Sequence, residues 1–220
     1  MTKQAIIVGC ENFAVMLEEY LREAGITVAA FTVDPQYIRE ETLLGKPVVS
    51  LSDVETRFPP EQYDCYLAIG YTKMGAIRRR IAENMAAKGY ALPNFIHETA
   101  YVAKSAVISG TCNIILERAI IGSMAQIGEG NIIWPGANIG HNACVGDWNT
   151  ISLNASLCGF SEIKNHCFIG ANSCVRDKVV LADETLVGAT AFVAADTAPK
   201  SVCVCARSAI LSKKSDEIVI

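Results

Sequence analysis

Several things that would assign this chain quickly are missing. No apolar run approaches the roughly 20 residues needed to cross a bilayer, and the stretch from Met1 to Val8 is too short for a signal peptide. Basic clusters are absent too. Lys and Arg number 19 against 23 Asp and Glu, for a net charge of −4, and no patch follows a phosphate backbone. The expectation is a soluble, cytoplasmic protein with no membrane span and no nucleic-acid partner. Nine cysteines are present, but the number is odd and neither a CxxC pair nor a zinc-ligand spacing occurs. Cys203 and Cys205 form the only close pair, and the cysteines are read as small apolar residues of a reducing compartment, with no metal. The dinucleotide fingerprint GxGxxG is also missing, since only Gly9 of its three glycines is present, which argues against NAD.

What is there folds. At 220 residues, 51% hydrophobic and 19% charged, the chain has enough apolar surface for a core, which excludes disorder and a coiled coil. Its first 95 or so residues alternate short apolar runs with helical patterns. Ala5 to Gly9 reads as a buried strand, Phe13 to Ala24 as an amphipathic helix stopped by Gly25, and Ile26 to Val33 as a second strand closed by Asp34-Pro35. Pro47 to Val49 and Asp64 to Ile69 are further strands, and a helix follows from about Thr72 to Lys88. The pattern predicts a small βαβ, Rossmann-like α/β domain over 1–95. In such a sheet the loop after the first strand, Gly9-Cys10-Glu11-Asn12-Phe13, is where a nucleotide binds.

From Ile121 the period changes. An aliphatic residue recurs every six positions at Ile121, Ile127, Ile133, Ile139, Val145, Ile151, Leu157, Ile163, Ile169, Val175, Leu181, Val187 and Val193. A small residue usually follows four places later, as at Ala125, Ala137, Ala143, Ser161 and Thr185, and glycine often follows directly. This is the signature of a parallel β-helix in which three hexapeptides close an 18-residue coil. The series predicts four coils, with an earlier one, Val102, Ile108, Ile114 and Ile120, adding about one more. The one-residue offset between the two series points to an insertion near Arg118 to Ile121.

The stretches Ile139-Gly140-His141, Val145-Gly146-Asp147-Trp148, Phe168 to Val175 and Leu181-Ala182-Asp183-Glu184 resemble the hexapeptide-repeat sugar acyltransferases of the sialic-acid O-acetyltransferase group. They are most similar to bacterial nucleotide-linked amino-sugar N-acetyltransferases. The resemblance runs from the Ile-Ile-Val-Gly opening, through Ala68-Ile69-Gly70 and Phe95-Ile96-His97, to Val193. It implies a left-handed β-helix over 96–198 followed by a terminal segment, 199–220. It also implies a homotrimer, with acetyl-coenzyme A as acyl donor in the cleft between neighbouring coils.

Only His97, His141 and His166 can serve as a base titrating near neutrality. His141 follows Gly140 at a coil corner, and in the family this position is the catalytic base. Where relatives often place an acid after the histidine, this chain has Asn142, so the orienting partner is an amide unless another carboxylate, such as Asp147, serves. Thr150 stands where many relatives carry a second histidine near the acyl group. Gly159 is one coil beyond His141, and its N–H is placed to meet a developing oxyanion. The resemblance gives Gly170, Ala171, Gly188 and Ala189 to the pantetheine arm, and Gly9 to Asn12, Asp34 and Ile69-Gly70 to the nucleotide-sugar. His97 is read as structural, His166 as a surface turn and Lys213-Lys214 as solvated charge. The sequence around Pro199 to Cys205 departs from the glycine- and proline-rich end of relatives, leaving no coenzyme contact assigned there.

The expected activity is acetyl transfer to the amine of a nucleotide-linked amino-sugar by direct attack on the thioester. O-acylation of a sugar of the sialic-acid type, or transfer of another acyl group, is the alternative inside the enzyme class, and a non-catalytic trimeric binding subunit is the alternative outside it. The zinc carbonic anhydrases built on similar coils use three histidines, two of them close in sequence, and this chain has no such pair.

Overall fold

The computed structural model describes residues 3–206 and residue 212; the Lys213-Lys214 tail lies outside them. The N-terminal part runs β1 (Gln4–Val8), α1 (Asn12–Glu23), β2 (Val28–Val33), β3 (Thr42–Leu43), β4 (Lys46–Ser50), α2 (Val54–Arg57), β5 (Tyr63–Leu67) and α3 (Ala76–Ala87). The sheet order is β3-β4-β2-β1-β5, parallel except for the short β3.

Two expected boundaries move for local reasons. β2 starts at Val28, not Ile26, because the Ile26 N–H reaches back to Leu21 O at 2.8 Å and closes α1. α3 starts at Ala76, not Thr72. Lys73, Met74 and Gly75 have φ of 52°, 51° and 78°, and three successive left-handed residues make a turn that no helix can include.

From Phe95 to Cys203 the chain is a parallel coil of two-residue strands. The strands stack into three sheets of seven, six and five. Ile121, Ile139, Leu157, Val175 and Val193 stand in register one above the other. All thirteen residues of the six-period series point inward, none more than 6% exposed. The stack forms a continuous apolar interior with the small corner residues. Strand Val202–Cys203 pairs with Leu186–Val187, so residues of the expected terminal segment add another rung.

The extra residue lies elsewhere than expected. Ile108 pairs with Ile127 and Ile115 with Ile133, so the longer turn spans 109–113 and the inward residues are Ile115 and Ile121. The doublets Ile114-Ile115 and Ile120-Ile121 hide the change of phase. Ile114 faces the N-terminal core instead, while Ile120 is partly exposed.

The seven-stranded sheet carries the α/β part. Its outward residues Phe95, Ile114 and Leu116 join the core under α1, and Phe13 meets Trp134 with ring centroids 5.5 Å apart. Trp148 and Cys112 join the second core with Leu67, Ile81 and Met85. Among the described residues no helix is long and apolar enough to cross a membrane.

Candidate active site

Three edges run along the coil, one at each corner between adjacent sheets. From Leu116 to Ala191 each corner is four residues long, and its third residue adopts positive φ, as at Met124, Asn142 and Phe160 on the edge carrying His141. That edge lies between the six- and five-stranded sheets, opposite the sheet that carries the α/β part.

His141 projects from it into solvent. Its Nδ1 lies 3.2 Å from Asn142 Oδ1, which sets the ring proton on Nδ1 and leaves the Nε2 lone pair free. Nε2 points at the next coil, where a Cβ built on Gly159 would stand 2.6 Å from it. Glycine is required here by the ring. The Phe160 ring meets the imidazole edge-on at 5.2 Å. Among the described residues the Gly159 N–H donates to no other group, so an unused donor and an unused acceptor stand side by side. His141, Asn142 and Gly159 thus stand together at one point of this edge.

The remaining candidates are dispersed within one chain. Thr150 does not reach His141. It lies on the outer side of the domain-carrying sheet, paired between Ile132 and Phe168, and is only 2% exposed. Asp147 does not orient His141 either: it stands on another edge, with Oδ1 accepting the Glu129 N–H at 2.9 Å. Gly170, Ala171, Gly188 and Ala189 occupy the third edge. Gly170 is buried beneath the Gly188-Ala189 turn, whereas Ala189 is exposed, with Cys205 Sγ 3.5 Å from its carbonyl.

The N-terminal candidates do converge. Gly9, Cys10, Glu11, Asp34, Ile69 and Gly70 line a cavity of about 480 Å³ at the carboxyl ends of β1, β2 and β5. Asn12, the first residue of α1, is outside that lining. Arg39 and Arg80 supply positive charge to the cavity; Arg39 stands 3.4 Å from Glu11 Oε1.

Other side chains have different work. His97 Nδ1 is 2.9 Å from Thr99 Oγ1, and its ring packs edge-on against Tyr20. His166 is not a free surface turn: its Nδ1 lies 3.0 Å from Met74 O, in the loop before α3. Burial pushes the Cys112 thiol up to about 12 and the Cys167 thiol to about 11, and holds Cys65 well above its ordinary value, so these three remain protonated near neutrality. Among the described residues no group of His, Cys, Asp and Glu is arranged to hold a metal ion.

Sequence reasoning missed Arg78. It shares the buried stripe of α3 with Ile81, Ala82 and Met85, and a cation on such a stripe is the signal that marks it. All its bonds go to backbone carbonyls, and burial lowers its pKa to about 10, still cationic at neutral pH.

No family model matches the chain. Solved structures do. The acetyltransferase domain of PglB from Neisseria gonorrhoeae is 25% identical, with a TM-score of 0.82, over 93% of this chain and 97% of that one. It is also known in complex with acetyl coenzyme A. Perosamine N-acetyltransferase from Caulobacter crescentus, in complex with CoA and GDP-perosamine, is 24% identical with a TM-score of 0.84, over 93% and 95%. WeeI from Acinetobacter baumannii shares the fold at 18% identity and a TM-score of 0.82, over 93% and 97%. In fold, and in reach along both chains, the protein is similar to the PglB acetyltransferase domain and to perosamine N-acetyltransferase.

Proposed function

We propose that the protein transfers an acetyl group from acetyl-coenzyme A to the amine of a nucleotide-linked amino-sugar, with His141 as general base. The observation that carries this is the free Nε2 of an exposed histidine facing the uncommitted N–H of Gly159. The PglB domain, at 25% identity, supports the donor, because it binds acetyl coenzyme A. The cavity over Gly9, Asp34 and Gly70 supports a nucleotide-linked acceptor, since the ends of parallel strands present backbone N–H groups to phosphate. In this reading residues 1–95 form a Rossmann-like acceptor domain, 96–198 a left-handed acyl-transfer coil, and 199–220 a terminal segment.

The chemistry is one displacement. The amine nitrogen attacks the thioester carbonyl carbon while His141 Nε2 takes its proton. The C–N bond forms and negative charge gathers on the carbonyl oxygen, where the Gly159 N–H meets it. Collapse breaks the C–S bond, and the imidazolium returns the proton to the departing thiolate, leaving amide and coenzyme thiol. Asn142 orients the ring but brings no charge to stabilise imidazolium. That favours an amine, the better nucleophile, over an alcohol.

The reaction calls for a second chain. His141 stands on the edge opposite the sheet that carries the acceptor cavity, and the Ala189 edge is the third. One chain therefore cannot bring acceptor, base and pantetheine edge together, whereas a homotrimer of parallel coils sets one chain's edge beside its neighbour's. Co-expressing His141→Ala with Asp34→Ala chains tests this. Shared sites recover about one quarter of wild-type activity, as random assortment requires; no recovery and a monomer's sedimentation mass would overturn it.

The test of function is mass spectrometry of reactions containing acetyl-coenzyme A and a panel of nucleotide-linked amino-sugars and sialic acid. We expect an N-acetylated product from wild type and a loss of about 10² to 10⁴ in kcat for His141→Ala. Product on a sialic acid hydroxyl alone selects O-transfer. No product, with no coenzyme binding, overturns the enzyme reading.

A further inference from the structure

We infer that Arg78 is a positioning residue that fixes the Ile69-Gly70 turn, the floor of the acceptor cavity, to the coil. Its side chain is 1% exposed and spans the two parts of the molecule. On one side, its guanidinium donates to Gly70 O at 2.8 Å and Ile69 O at 3.3 Å. On the other it donates to Gly130 O at 3.0 Å and to Trp148 O and Asn149 O, each at 3.1 Å, on successive corners of one coil edge. Only a planar fork with five N–H groups reaches both sets at once; lysine offers three donors from a single point.

The charge itself needs explaining. Among the described residues Arg78 has no carboxylate partner, and a buried cation without a counter-ion is costly to keep. A joint that needed only adhesion would be served by apolar side chains. Five carbonyl dipoles converging on one cation instead specify a single geometry, in which the turn has one height and one direction relative to the coil.

Three further contacts hold the same segment. Tyr71 packs on Phe168 with centroids 4.8 Å apart, and Met74 O meets His166 Nδ1. Gly75, at φ 78°, passes so close that an added Cβ would lie 2.6 Å from Trp148 O. The segment that touches the coil also lines the cavity, through Ile69, Gly70, Thr72 and Ile77. Resting on the proposed reaction, the inference is that this clamp aims the acceptor at its neighbour's His141. Loosening it weakens acceptor use and leaves the coenzyme edge alone.

Two variants attack the clamp from opposite sides: Arg78→Lys removes donors, and Gly75→Ala pushes the turn off Trp148. Arg79→Gln, on the exposed face of the same helix, is the control. We expect faster hydrogen exchange at residues 69–75 in both clamp variants. We also expect a KM for the nucleotide-sugar raised about tenfold or more, with the KM for acetyl-coenzyme A and the oligomeric mass unchanged. Unchanged exchange overturns the inference, as does a loss that moves both KM values together with the melting temperature. If wild type acetylates no acceptor while the variants still loosen 69–75, the proposed reaction fails and the assignment of the turn to Arg78 stands.

Discussion

The edges bearing His141 and Trp148 are built on the same four-residue corner, with the same left-handed third residue. They differ in what happens to the N–H of the second residue. On the Trp148 edge, each is met by a side chain from the coil above: Glu129 by Asp147, Asp147 by Asn165, and Asn165 by Asp183, at 2.8 to 2.9 Å. Fourth-position asparagines inside the same edge do this from the coil below: Asn113 Oδ1 accepts the Asn131 N–H, Asn131 Oδ1 the Asn149 N–H and Asn149 Oδ1 the Cys167 N–H. On the His141 edge Gly159 has no side chain to offer the His141 N–H below it, and among the described residues the Gly159 N–H, with Asp177 one coil above, also donates to no group. One edge is saturated and carries a domain; the other is left wanting partners, and a substrate can supply them. In the proposed reaction it is these uncommitted groups on the open edge, not the saturated ones, that meet the substrate.

The largest effect should follow from closing that gap. Gly159→Ala drives a methyl group against His141 Nε2, and kcat is expected to fall by about 10² or more with little change in thermal unfolding. A stability effect without an activity effect belongs to the other edge. Asn149→Ala leaves the Cys167 N–H and Lys164 O without their partner and is expected to cost about 2 to 3 kcal/mol by urea denaturation, with coenzyme KM preserved. A subtler change sharpens the role of Asn142. Asn142→Asp sets a carboxylate beside the imidazole and favours its charged form, so the acid limb of the kcat/KM profile moves to higher pH. The smallest effect concerns the thiols. Cys65, Cys112 and Cys167, whose pKa values burial raises, stay neutral and should resist iodoacetamide at pH 7.5, while exposed Cys205 alkylates first, as peptide mass mapping would show.

The coil was legible because its interior repeats: thirteen aliphatic positions leave one arrangement for the inward side chains. Phase was lost only where Ile114-Ile115 and Ile120-Ile121 offer an isoleucine in either register. His141 and Gly159 were readable as a pair because one coil is 18 residues. The neighbours of Thr150 and Asp147 were not, since linear distance from His141 says nothing about which face or edge a residue occupies. Arg78 was the least legible of all. Its partners are carbonyls of residues on three separate segments, and backbone acceptors leave no trace in side-chain identity.

Successive strands of a sheet lie about 4.8 Å apart, so each 18-residue turn of the coil advances by that amount. Met124, Asn142, Phe160 and Lys178 are therefore graduations on a ruler laid along the open edge. Anything that lies along that edge is met at these heights, and a side chain moved up or down by 18 positions would meet it one division away.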